Sequence, residues 1–151
     1  MARRAGVAIG TLYRHFPTRD DLLAALLERS LAELAERADA MRAAPVTVEA
    51  LIGWLRAFAE HSGTYRGLPR SVLVGLEEEG SPLHAACVHM RDAAARLMAA
   101  AQEAGVVRPD VPVEDVLAIV AGIAWVAEQA GGAGRADRLL DLVRDALTAG
   151  R

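Results

Sequence analysis

Apolar residues recur every three or four positions along almost the whole chain, and nowhere do β-branched residues alternate with polar ones at a period of two. That pattern predicts an all-α protein. Thr18 and Asp21 form a T-x-x-D variant of the capping box, and the helix they open is predicted to run to about Ala44, with Leu22, Leu23, Leu26, Leu27, Leu31 and Leu34 on its buried side. Pro45 breaks the chain and Thr47 can cap a second helix reaching about Ser62 or Tyr65. Gly63, Gly67 and Pro69 mark a bend before a short helix from Arg70 to Glu78, stopped by Gly80. Ser81 followed by Pro82 is a cap and first-turn pair opening a helix to about Ala104. After the loop of Gly105, Pro109, Asp110 and Pro112, two last helices are predicted, Val113 to Gln129 and Arg135 to Ala149, parted by Gly131, Gly132 and Gly134.

Ahead of these helices, Ala5 to Asp21 reads AGVAIGTLYRHFPTRDD. A turn at Gly6 and Val7 leads into a short helix bearing Thr11, Tyr13, Arg14 and His15 on faces other than that of Leu12 and Phe16, and Pro17 ends it. This reads as the turn and second helix of a DNA-reading helix-turn-helix. Charge agrees. Residues 1–19 hold Arg3, Arg4, Arg14 and Arg19 and no acid, so the rest of the chain carries the −7 that brings the total to −3. An isolated Arg-rich terminus is ordinarily just solvated; joined to this motif, the same charge fits phosphate binding.

The segment resembles the recognition-helix signature of the TetR family of bacterial transcriptional regulators, A-G-V-S-x-G-T-x-Y-x-[YH]-F-x-[SN]-K, with Ala8 in place of the usual Ser and Arg19 in place of the usual Lys. Carried over position by position, the resemblance implies that Tyr13, His15 and Arg19 contact phosphates. Ile9, Gly10 and Arg14 then lie where base edges are met, and Gly10 and Thr11 let the backbone approach the duplex. A TetR-type DNA-binding domain has three helices, whereas only Met1 to Ala5 precede the turn here. The expectation is a partial helix-turn-helix over residues 1–18, lacking the first helix and most of the second, in a protein whose true start lies upstream. Residues 19–151 then form a helical ligand-binding and dimerisation domain. Further along, YRGLPRSVL, SPLHAAC and AQEAGVVRPDV resemble, more diffusely, the ligand-binding domain of the SbtR-like subgroup.

On the helix after Thr47, Leu51, Trp54, Phe58, His61 and Tyr65 repeat at spacings of three and four, so one inward stripe carries most of the aromatic area. In a plain bundle such a stripe is core; in a TetR-like domain the same place lines a cavity for a small molecule. The expected lining is Trp54, Phe58 and His61, with Cys87, Met90, Trp125 and Glu128 across from them. Val116 to Val126 is apolar all round, predicting a helix buried on every side. Together with Leu139, Leu140, Val143, Ala146 and Leu147 of the final helix it reads either as half of a four-helix dimer interface or as the centre of a monomer. The dimer reading rests on Ala118, Ala121, Gly122, Trp125, Leu139, Val143 and Leu147.

Other chemistry is thin. Cys87 is the only cysteine, which excludes an intramolecular disulfide and fits a reducing cytoplasm. The longest near-continuous apolar run, Val116 to Ala127, is too short to span a bilayer, so no membrane partner is expected. His84 and Cys87 stand at i and i+3, but His89 points elsewhere on the helix, and no two-His metal pair, nucleophile elbow, phosphate loop or dinucleotide fingerprint is present. Neither an enzyme nor a cofactor is expected. The resemblance implies a homodimeric repressor that binds operator DNA and is released by a small apolar effector. A dimeric small-molecule-binding module whose truncated head no longer binds DNA is the alternative.

Overall fold

A capping box opens the first long helix, α1 (Arg19–Met41). The Asp21 amide donates to the Thr18 hydroxyl at 3.1 Å and the Thr18 amide donates to the Asp21 carboxylate at 2.9 Å, so side chains satisfy donors that a helix start leaves unpaired. The computed structural model describes residues 14–65, 67–129 and 134–149, with residue 128 described in its backbone alone. The helices that follow are α2 (Val48–Thr64), α3 (Arg70–Glu77), α4 (Pro82–Glu103), α5 (Val113–Gln129) and α6 (Arg135–Thr148). Local chemistry sets their ends. Thr47 accepts from the Ala50 amide at 3.2 Å, and Ser81, followed by Pro82, accepts from the His84 amide at 3.0 Å. Past α4, Gly105 turns left-handed at φ 67°, which brings the Val106 amide to the Ala101 carbonyl and the Gly105 amide to the Gln102 carbonyl, the pattern of a Schellman stop.

The broadest helix contact is α1 on α4. Ala35 and Ala38 of α1, and Ala93, Ala94 and Ala101 of α4, are all buried, and side chains this small let two helices lie close. Arg96 of α4 forks onto Asp39 of α1 through Nε at 3.1 Å and Nη2 at 2.8 Å; the pair is partly exposed and adds register more than stability. On the other flank of α1, the indole Nε1 of Trp54 donates to the Leu34 carbonyl at 2.9 Å. Trp54 is 1% exposed and stacks on Phe58 one turn along, ring centroids 5.9 Å apart. α2 in turn packs on α5 and α6, and Arg56 of α2 pairs with Asp137 of α6 at 2.8 Å. The loop after α4 is closed by Gln102, which donates to the Arg108 and Val111 carbonyls, and by the Arg108 amide, which donates to the Leu147 carbonyl at 2.8 Å.

Two expectations change. Leu26 is 46% exposed, because the inward stripe of α1 runs through Leu27, Leu31, Leu34, Ala35 and Ala38 and Leu26 stands about 100° around the helix from Leu27. Likewise α5 is not covered on all sides among the described residues. Val116, Leu117, Val120, Ile123 and Ala124 are buried, whereas Ala118, Ile119, Gly122, Trp125 and Val126 face outward. Among the described residues α2, α6 and, more slightly, α4 are its main packing partners, and this outward side stays exposed.

The Trp54 hydrogen bond and ring are expected to carry a large share of subunit stability. Urea unfolding should show Trp54→Phe losing about 1–2 kcal/mol and Trp54→Ala about 3–5 kcal/mol; an unchanged midpoint for Trp54→Ala would contradict the seam described.

Candidate functional site

Between α1, α2, α4 and α5, and bordered by the α2–α3 bend and α3, lies an open cavity of about 290 Å³, close to the lower end of small-molecule sites at about 300 Å³. Leu27 and Leu31 of α1, Phe58 and His61 of α2, Leu76 of α3, Cys87, Met90 and Arg91 of α4 and Leu117 of α5 form most of its wall. Helical spacing explains the α4 contribution, since Cys87 and Arg91 are one turn apart and share a face. Four residues expected from sequence, Phe58, His61, Cys87 and Met90, therefore meet around one space. Trp54 does not join them: it lies one turn back on α2, stacked behind Phe58 and committed to Leu34. Trp125 stands on the outer face of α5 at 58% exposure. The side chain expected at Glu128 lies outside the described residues.

His61 is the polar hinge of this wall. Its Nδ1 meets the Ser30 hydroxyl of α1 at 2.7 Å, its ring lies 4.9 Å from that of Tyr65, and the Tyr65 hydroxyl donates to the Leu26 carbonyl at 3.1 Å. Burial pushes the imidazole below the ordinary histidine value of 6.5, so the ring is neutral at pH 7. Nε2 has no partner among the described residues.

At the other end of α1, Arg14 and His15 are helical and exposed, and Arg19 begins α1 with its side chain in solvent. Phe16 is half-buried beside them. These three polar side chains are thus outward, as contact with a nucleic acid requires. The other expected DNA contacts, Ile9, Gly10, Thr11 and Tyr13, lie outside the described residues.

A third surface joins α5 and α6. Ala118, Gly122 and Trp125 are exposed on it, in line with Ile119 at 55% and Val126 at 39%, while Leu142 of α6 is 64% exposed. Ala121, Leu139 and Val143 are half-buried at its margin against the subunit core. Leu147 faces the opposite way, 3% exposed within that core. Sequence periodicity marked this helix pair as apolar but did not separate Ile119, Val126 and Leu142, the outward residues, from their inward neighbours.

Among the described residues, exposed basic side chains at Arg14, His15 and Arg19 lead into a bundle of six helices. The family description "Transcriptional regulator SbtR-like, C-terminal domain" matches residues 45–149, and "Bacterial regulatory proteins, tetR family" matches residues 1–26. The crystal structure of the TetR transcriptional regulator SCO0520 from Streptomyces coelicolor is similar at 35% identity and a TM-score of 0.83, over 99% of this chain and 86% of that one. Comparison with curated proteins gives no match. The chain belongs to the TetR family of bacterial transcriptional regulators.

Because the folded state holds His61 below its unfolded value, the unfolded chain takes up the proton first as pH falls, and stability drops from about pH 6.5 downward before levelling below the folded-state value. Chemical denaturation at pH 7.5 and pH 5.5 should therefore show a smaller acid loss for His61→Gln than for the native protein. Equal losses would mean that His61 is not held neutral by its surroundings.

Proposed function

We propose that the chain is one subunit of a homodimeric repressor which binds operator DNA through the segment ending at Arg19 and releases it when a small apolar molecule fills the cavity. The single observation that carries this reading is the position of α1: one end abuts the exposed Arg14, His15 and Arg19, and one flank supplies Leu27 and Leu31 to the cavity wall. In the proposed division, residues 1–18 are part of the reading head, and 19–151 sense and dimerise. A second link runs through α3, where Leu76 lines the cavity and the Ser71 hydroxyl donates to the Asp20 carboxylate in the first turn of α1. An effector that fits one arrangement of these helices better than another shifts the population by that difference in affinity, and DNA affinity falls with it.

The proposed dimer face is the outward side of α5 and α6. Ile119, Trp125 and Val126 on α5 and Leu142 on α6 are large apolar side chains left exposed, the kind of surface that two-fold helix pairing covers. The working compartment is read as the cytoplasm; among the described residues no helix is long and apolar enough to cross a membrane.

Gel shifts of the full-length protein on the DNA preceding its own gene test the first claim: binding that is specific and weakens steeply with salt is expected. Absence of binding at every salt concentration would favour a stand-alone ligand-binding module. Size exclusion with light scattering at micromolar concentration should give a dimer, and Trp125→Glu should shift it toward monomer; a native protein that runs as a clean monomer removes the dimer claim.

A further inference from the structure

We infer that the cavity selects an amphipathic monoanion, an apolar body ending in a single carboxylate, with Arg91 as the counter-charge at its mouth. The inference rests on reading the cavity as the effector site. Leu27, Leu31, Phe58, Met90 and Leu117 offer an occupant only hydrocarbon and thioether surface, so the body of the ligand must be apolar. No aspartate or glutamate stands among the described residues of the wall, and Arg91 is the one charged side chain there. Its head is exposed and makes no ion pair or hydrogen bond with the described residues, whereas Arg96, Arg56 and Arg108 elsewhere on the surface each grip a carboxylate.

The choice of charge follows. A cationic ligand would meet Arg91 with no acid to offset the repulsion, and a neutral apolar one would gain nothing from it. A dianion would bring two charges to one guanidinium, since Arg91 is the one arginine of the described wall and burial disfavours the charged form of His61. A carboxylate matches the planar fork of an arginine through two parallel N–H donors. Because Arg91 is exposed while Leu27, Leu31, Phe58, Met90 and Leu117 are buried, the ion pair keeps part of its water while the apolar tail goes inward. That arrangement avoids the large desolvation cost of a fully buried charge.

The test compares matched probes by titration calorimetry: decanoate with 1-decanol, and 4-phenylbutyrate with 4-phenylbutanol. Native protein is expected to bind at least one acid about tenfold more tightly than its alcohol. Arg91→Gln, an exposed substitution whose fold is checked by its circular dichroism and melting curve, is expected to lower the acid to the level of the alcohol and leave the alcohol unchanged. Alcohols that bind native protein as well as the acids, or a preference for acids that survives Arg91→Gln, would overturn the charge selection while leaving the cavity reading intact. If none of the four probes binds, the effector-site reading fails and the inference fails with it.

Discussion

Since buried alanines line both α1 and α4, the two longest helices lie close enough for Arg96 to fork onto Asp39 on one flank, while Trp54 of α2 reaches the Leu34 carbonyl on the other. α1 is thereby held between neighbours along its C-terminal half. Its N-terminal half buries Leu27 and Leu31 in the core and is also bonded by the Tyr65 hydroxyl on the Leu26 carbonyl, by His61 on Ser30 and by Ser71 on Asp20. This half adjoins Arg14 and His15.

The cavity sits against this N-terminal half, through Leu27 and Leu31. Its walls come from five helices, so its size depends on how α2, α3 and α4 are spaced around α1 and on no single loop. An occupant that presses on Phe58 and His61 presses on α2, and through Ser30 and Leu26 on α1. α3, with Val72 as its one buried residue and Leu76 on the wall, is the least anchored of the partners. Coupling of this kind needs only that a ligand favour one spacing over another.

Helix starts were legible in the chain because their causes are local: Thr18 with Asp21, Thr47, and Ser81 with Pro82 each act within one turn. The family was legible for a related reason, since a run of about a dozen ordered residues carries its own context. What periodicity could not resolve was which neighbour each face meets. Trp54 and Phe58 share a stripe, yet only Phe58 reaches the cavity, because the carbonyl of Leu34 on a helix twenty residues away captures the indole. Leu27, Leu31, Leu76 and Leu117 joined the wall through tertiary packing that no spacing within a single helix encodes. Arg91 was the exception with a usable signal, standing one turn beyond Cys87.

The two tryptophans occupy opposite environments. Trp54 is sealed and hydrogen-bonded at the heart of the α1–α2 seam, and Trp125 lies open on the surface of α5. The subunit therefore contains two built-in fluorophores of different colour. A sealed indole emits toward the blue and keeps that emission until the chain unfolds, while an exposed one emits toward the red and shifts when any surface comes down on it, so covering of the α5 face and melting would leave separate optical traces in an unlabelled sample.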